Sequence, residues 1–301
     1  MEELLPDSNP TGMDSNLALI KTRSRPRRIE TERHHRSATQ IKGKDMDSLP
    51  LAQVLSPSQV SLFLNCPAKW MFRYLLDLKD PGTAATALGK AFHETIAHNF
   101  RQKRETARDL PLAECLEFFG SVLGRELEQI KLQKDERPME LLDLGTAMVA
   151  KYLAEAAPLI QPAAVESRVA GIIGGVKVSG YVDLLDVDGR LIDSKSAIKP
   201  IKGIAHDHRL QLTSYAMITP AATGACRLDT VTKGKTVTLV QKSFCVSEKD
   251  RQYAEIVYPM VQDSIRDGIF LPRRGSPLCS KRYCGYWKIC ETEYGGCVRD
   301  D

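Results

Sequence analysis

The sequence predicts an α/β fold, and three observations predict it. Up to about residue 157 the apolar side chains recur at helical spacing. From Val165 the texture changes to short runs rich in Val, Ile and Leu, broken by Gly174-Gly175 and by Asp188-Gly189, the second break being a hairpin signal. Helical and strand-like runs then alternate to about residue 267.

Ordered sequence is expected from about residue 51. Ser56 reads as an N-cap and Pro57 as the first position of a helix that runs to about Asn65. Cys66-Pro67 interrupts it, and a second helix carries Trp70, Met71, Tyr74 and Leu75. A loop over 80–86 leads to a long helix over 87–103, which holds Gly89, His93 and Glu94. Residues 111–131 and 138–157 give two amphipathic helices, ended by Pro158 and Pro162. Strands over 165–170, 176–186 and 190–194 form a three-strand meander. A helix over 206–218 separates it from strands over 228–232 and 236–244, which Lys233-Gly234-Lys235 joins. A last helix covers 248–267, and a cysteine-rich end follows Pro272. The sequence contains no internal repeat.

The chain has 301 residues, room for one large domain or two small ones. Hydrophobic content of 43% and charged content of 27% exclude the disordered and membrane classes, and only 6% aromatics call for an aliphatic core. No apolar run approaches the ~18 residues that cross a bilayer, and the acidic Met1-Glu2-Glu3 start is no signal peptide. A cytoplasmic location follows, where clustered cysteines among the chain's eight point to metal rather than disulfides. Net charge is +4, which alone says little about nucleic acid, but arginines and lysines crowd residues 21–43 with almost no large apolar neighbours. Residues 1–50 read as a disordered basic tail: a solvated extension, a phosphate-binding arm or a targeting segment.

The middle of the chain carries the chemistry. Asp183 ends one strand, and Asp193, Ser194 and Lys195 end the next. Alternation puts Asp193 and Lys195 on one face and Ser194 on the other. Pairing through Asp188-Gly189 brings Asp183 close to Asp193. Two neighbouring carboxylates repel unless a cation lies between them. A hard divalent ion answers that need and keeps open positions for phosphate and water. Lys195 is then placed to hold the attacking water or the developing charge. Singly, these residues also read as a turn aspartate and a surface ion pair; jointly with His93, Gln211 and Tyr215 they read as a site. His93 as a ligand adds an imidazole, which admits Mn²⁺ as well as Mg²⁺. Glu166, at a strand start, could orient a ligand or water. Gln211 and Tyr215 lie one helical turn apart and share a face suited to a phosphate or a base edge. Lys199, Lys202, His206, His208 and Arg209 lie just upstream and suit a nucleic-acid backbone or a solvated loop.

Cys279, Cys284 and Cys290 fall within twelve residues, and Cys66 is a remote fourth thiol. Zinc sites favour tighter pairs. Three close cysteines and a remote one suit a [4Fe–4S] cubane, with zinc as the alternative and Cys297 as a rival ligand. Closing a loop of roughly 200 residues would be structural work. Cys115, Cys226 and Cys245 lie in helix or strand patterns and read as buried small hydrophobes.

These pieces, taken in order, resemble the RecB-like branch of the PD-(D/E)XK nuclease superfamily that carries a four-cysteine iron–sulfur cluster. The matching runs are Ser-Pro-Ser-Gln-Val-Ser-Leu-Phe-Leu-Asn-Cys-Pro ending at Pro67, Leu-Gly-Lys-Ala-Phe-His-Glu ending at Glu94, Gly-Tyr-Val-Asp ending at Asp183, Ile-Asp-Ser-Lys ending at Lys195, Gln-Leu-Thr-Ser-Tyr ending at Tyr215, and the tail of Cys279, Cys284 and Cys290. The resemblance implies a restriction-endonuclease-like core, a central mixed sheet flanked by helices. It implies a nuclease domain over 51–301, made of a helical lobe (51–160), a catalytic sheet core (161–270) and an iron–sulfur clamp (271–301). His93, Asp183, Asp193 and the Ser194 carbonyl would hold Mg²⁺ or Mn²⁺, with Lys195 the catalytic lysine and Gln211 and Tyr215 the late helical motif. Cys66, Cys279, Cys284 and Cys290 would hold the [4Fe–4S] cluster. The spacing from Cys279 to Cys284 is longer than in the CRISPR-associated relatives and leans towards phage-type or general RecB-like exonucleases.

The implied activity is metal-dependent hydrolysis of DNA, from single strands or duplex ends, in recombination, repair or phage DNA processing. No Gly-x4-Gly-Lys-Ser/Thr loop is present, so a helicase or recombinase would be a separate partner, and no membrane is involved. The competing reading is a catalytically silent DNA-binding or scaffold subunit with a structural metal cluster.

Overall fold

The computed structural model describes residues 54–80, 82–130, 132–233 and 236–300. The basic tail over 1–50 and the Gly234-Lys235 connection lie outside them.

Helix α1 (Pro57–Asn65) starts as its cap predicts: the Ser56 side chain accepts a hydrogen bond from the Gln59 main chain, and Pro57 opens the helix. Cys66 is extended and breaks it. Helix α2 (Pro67–Trp70) then passes directly into a π-helical turn over Met71–Leu75, which the sequence does not signal. Next come α3 (Ala84–Thr106), α4 (Leu112–Glu128) and α5 (Pro138–Glu155). α3 begins three residues earlier than its apolar period, because Thr83 and Thr86 form a reciprocal capping box.

Strands β1 (Pro162–Ile173), β2 (Val176–Asp186) and β3 (Leu191–Ala197) form the expected meander. Helix α6 (His206–Ile218) follows, then β4 (Ala225–Thr232), β5 (Leu239–Cys245) and α7 (Glu248–Arg266). The sheet order is β1-β2-β3-β4-β5. β3 and β4 pair in parallel and the other neighbours are antiparallel, so the sheet is mixed. The crossover between β3 and β4 is α6, as parallel pairing requires.

Two layers cover the middle of the sheet. Phe92, Phe100, Phe119, Met148 and Tyr152 of α3, α4 and α5 form one buried core with Val165, Leu184, Ile192 and Val231 of the strands. On the opposite side of β3 and β4, α6 brings Gln211 to Asp193 and the Leu212 carbonyl to Cys226. The last helix, α8 (Trp287–Tyr294), lies in the cysteine-rich end and was not expected there. Its segment is fastened to the helical part by the Tyr286 hydroxyl, which donates to the Leu78 carbonyl.

One cysteine expectation needs correction. Cys115 and Cys226 are buried, but Cys245 is exposed. It ends β5, an edge strand whose alternate residues face solvent.

Candidate active site

The β2–β3 register places Asp183 beside Asp193. Leu184 pairs with Ile192 and Leu185 with Leu191, so one further step along the ladder faces the two aspartates. The Ser194 main-chain N–H donates to Asp183 Oδ2 at 3.2 Å, which fixes that carboxylate against β3. His93, at mid-length of α3, brings Nδ1 to 3.5 Å from the same oxygen.

Lys195 and Asp193 share a face of β3, as alternation requires. Lys195 Nζ lies 2.7 Å from both carboxylate oxygens of Asp193. Only Oδ1 is in hydrogen-bonding geometry; Oδ2 is buried and has no hydrogen-bond partner among the described residues. From α6, Gln211 Nε2 donates to Asp193 Oδ1 at 3.5 Å. Tyr215, one turn on, is buried and stands close enough to Asp183 and Asp193 to feel both charges.

Glu166 enters the same cleft, which His93, Asp183, Ser194 and the apolar Ile96, Ala97 and Phe100 also line. It lies inside β1 rather than at its start, at φ 45°. The ladder skips it, since Val165 pairs with Leu184 and Ser167 with Val182. A left-handed glutamate costs about 1–3 kcal/mol and persists where its surroundings fix it.

The site's electrostatics follow from burial and crowding. Burial lowers the His93 pKa, against the pull of Asp183, and so favours the neutral imidazole that metals bind. Burial raises Asp193, Lys195 opposing it and Asp183 adding to it. Burial also raises Glu166, with Asp183 adding. For Lys195 burial works against the charge, but Asp193 and then Asp183 outweigh it and hold the ammonium above the usual lysine value. Burial, then Asp183 and Asp193, push Tyr215 up to about 12, so its hydroxyl stays protonated and can donate.

Among the described residues no three potential ligands already converge on one point. The Lys195 ammonium supplies the positive charge at Asp193 instead. The donor set nonetheless fits a hard divalent cation by its chemistry: two adjacent carboxylates, a third in Glu166, and an imidazole that burial keeps neutral.

A buried polar chain beneath β3 escaped the sequence reading. Ser194 Oγ donates to the Tyr152 hydroxyl at 3.1 Å, Tyr152 donates to Asp229 Oδ2 at 3.2 Å, and Arg227 Nη2 pairs with that same oxygen at 2.8 Å. Its one signal is Arg227 and Asp229, two charges with strand spacing inside an otherwise apolar run. Of the basic residues upstream of α6, Arg209 is committed to a two-pronged pair with Asp250, and Lys199 and Lys202 are exposed.

At the other end, none of the eight cysteines is in a disulfide. Burial raises the Cys284 thiol, and Cys66 and Cys279 raise it further. Burial pushes Cys290 up to about 11; Arg274 opposes that, while Cys66, Cys284 and Cys279 add to it. Cys66 and Cys279 thus act electrostatically on both Cys284 and Cys290, but among the described residues no three of these thiols form a group ready to hold a metal. Cys297 is exposed and does not figure among the charges acting on either thiol.

A profile of the PD-(D/E)XK nuclease superfamily matches residues 54–291. The chain belongs to that superfamily, and its five-stranded mixed sheet flanked by helices is the restriction-endonuclease-like fold. No curated protein sequence matches it. Among the solved structures that align with it, two do so at low identity. One is a protein from Eubacterium rectale provisionally named an exonuclease, with 14% identity and a TM-score of 0.49 over 75% of this chain and 87% of that one. The other is SSO0001, with 11% identity and a TM-score of 0.40 over 85% of this chain and 94% of that one.

Proposed function

We propose that this nuclease-family chain is a metal-dependent DNA exonuclease of the RecB-like branch, acting on single strands or duplex ends in recombination, repair or phage DNA processing. The observation that carries the reading is the contact chain through the two aspartates: His93 and the Ser194 N–H meet Asp183 Oδ2, and the Lys195 ammonium lies against Asp193. His93, Asp183, Asp193 and the Ser194 carbonyl would hold Mg²⁺ or Mn²⁺. When bound, the ion supplies Lewis-acid charge at the phosphate and lowers the pKa of water.

The chain's own residues do the rest. Lys195, charged at neutral pH, answers the negative charge that develops on the phosphate as water attacks and the P–O ester bond breaks. The Tyr215 hydroxyl and the Gln211 amide orient phosphate oxygens from the α6 side. Lys199 and Lys202 offer phosphate contacts that position the strand without reading its sequence. A helicase or recombinase would deliver the end.

Cys66, Cys279, Cys284 and Cys290 would hold a [4Fe–4S] cluster, or zinc as the alternative, bracing the cysteine-rich end against α1 and α2. The charges that Cys66 and Cys279 exert on Cys284 and Cys290 support this, and the loaded centre would draw together residues far apart in sequence.

The test uses protein purified without oxygen and DNA labelled at the 5′ or the 3′ end, single- and double-stranded, beside a covalently closed circle. Mononucleotides released from one labelled end, with the circle left intact, support an exonuclease and give its polarity. A cleaved circle replaces it with an endonuclease. A folded protein that binds DNA and cuts neither favours the silent scaffold.

A further inference from the structure

Strand β3 is held unevenly where the site begins. β2 pairs with it at two positions, Leu184–Ile192 and Leu185–Leu191, whereas β4 pairs with it from Leu191 to Ala197. Past Ile192 a side chain closes the β2 side: the Ser194 N–H donates to Asp183 Oδ2 at 3.2 Å, and His93 Nδ1 lies 3.5 Å from that oxygen. Tyr152 of α5 braces this junction from two directions. Its fully buried ring packs edge-on against Phe92 and Phe100 of α3, with centroids 5.7 and 6.3 Å away. Phe92 in turn meets the ring of the adjacent His93 edge-on at 5.9 Å. The Tyr152 hydroxyl accepts from Ser194 Oγ at 3.1 Å and donates to Asp229 Oδ2 at 3.2 Å. Ser194 and Asp229 are register partners in the β3–β4 pair, so one hydroxyl reaches both, and Arg227 Nη2 anchors the same Asp229 oxygen at 2.8 Å. The contacts close a ring. One arm runs from Tyr152 through Phe92 to His93, the other from Tyr152 through Ser194, and they meet at Asp183 Oδ2.

We propose that Tyr152 is a positioning residue that fixes His93 against Asp183: its ring seats the helix that carries the imidazole, and its hydroxyl sets the Ser194 peptide that holds the carboxylate. The proposal rests on the reading of His93, Asp183, Asp193 and Lys195 as a nuclease site. Tyr152 is fully buried and cannot reach a substrate, so its effect passes through Ser194 and α3. A hydroxyl bonded as both acceptor and donor is held in one orientation, and a satisfied buried network rigidifies the groups it joins. A phenylalanine at this position keeps the ring arm and releases the Ser194 arm. Small displacements of a reacting group are costly in rate.

The experiment compares wild type, Tyr152→Phe, Ser194→Ala and the double variant, with circular dichroism to show which are folded at the assay temperature. Steady-state hydrolysis of end-labelled DNA with Mg²⁺ gives kcat and KM separately. The proposal expects each single variant to lose about tenfold or more in kcat, with KM little changed, because holding the strand does not need the Ser194 arm. The double variant should lose no more than the worse single one, since both changes cut the same contact. Wild-type kcat in folded Tyr152→Phe overturns the proposal and leaves the nuclease standing, whatever stability the variant has lost. So do losses that multiply in the double variant, because Tyr152 would then not act through Ser194. Should Tyr152→Phe not fold, Ser194→Ala decides by the same split: it removes Oγ and keeps the main-chain N–H, and wild-type kcat in it overturns the proposal. A folded wild type that does not hydrolyse DNA overturns the nuclease reading itself, and this proposal with it.

Discussion

Lys195 Nζ lies 2.7 Å from Asp193 Oδ1, and both residues project from one face of β3. The pair is half catalyst and half structure. Its lysine stands where positive charge is needed in phosphodiester hydrolysis, and its aspartate is among the most deeply buried acids of the site. A cation that binds Asp193 must share that carboxylate with the ammonium. Lys195→Met should therefore bind Mn²⁺ at least as tightly as wild type in calorimetric titration, while hydrolysis falls by about 10²-fold or more. Weaker Mn²⁺ binding in the variant would show that Lys195 supports the metal rather than competing with it.

The same pair predicts an asymmetric stability effect. Asp193→Ala strands a mostly buried ammonium and should cost about 3 kcal/mol in urea unfolding. Adding Lys195→Met to it should restore most of the loss, because no charge is then left unpaired. If the double variant is as unstable as the single one, the pair's contribution lies elsewhere.

Gly180 sits under Tyr215: a Cβ there would meet Tyr215 Cε1 at 2.9 Å and Oη at 3.0 Å. Gly180→Ala should move the phenol away from the two aspartates. Activity should drop about tenfold or more, since small displacements at a reacting centre are costly, while stability changes by less than about 2 kcal/mol. Unaltered kcat/KM would remove Tyr215 from the proposed machinery.

Much of this site was legible in the sequence, for local reasons. A two-residue period marks Asp193 and Lys195 as face-mates, Asp188-Gly189 sets the hairpin that brings Asp183 across, and α6 matches its expected bounds, His206–Ile218. α7 begins where Ser247 and Asp250 form a capping box. What stayed hidden depends on distant contacts. Tyr152 reaches Ser194 across 42 residues and Asp229 across 77, which no window detects. Likewise α8 has no side-chain cap to announce it.

Tyr152→Phe tests the buried chain beneath β3. It removes one donor from Asp229, a carboxyl that burial raises and Arg227 lowers, and one acceptor from Ser194. A cost of about 1–3 kcal/mol is expected from the change in denaturation midpoint. A change under about 0.5 kcal/mol would mean that Arg227 alone satisfies Asp229.

Arg209 and Asp250 join the N-terminal turns of α6 and α7. The Arg209 hydrogen bonds hold the Asp250 carboxyl well below the usual carboxylate range, burial opposing them. A group whose folded pKa is depressed adds stability above its unfolded value of about 3.9 and loses it as pH falls towards the folded one. Arg209→Met should thus be less stable than wild type by about 1 kcal/mol at neutral pH, a modest figure because both side chains are partly exposed. That gap should narrow as pH drops below about 4. A gap independent of pH would assign the loss to the stacking of Arg209 on Phe244 instead.

The most direct measurement is hydrolysis of end-labelled DNA by wild type, Asp193→Asn and Lys195→Ala, each with Mg²⁺, Mn²⁺ or EDTA, after circular dichroism has shown all three folded. Degradation by wild type alone, present with either ion and abolished by EDTA, is the predicted result. Equal degradation by Lys195→Ala, or by wild type in EDTA, would contradict a metal-dependent nuclease centred on Asp183, Asp193 and Lys195.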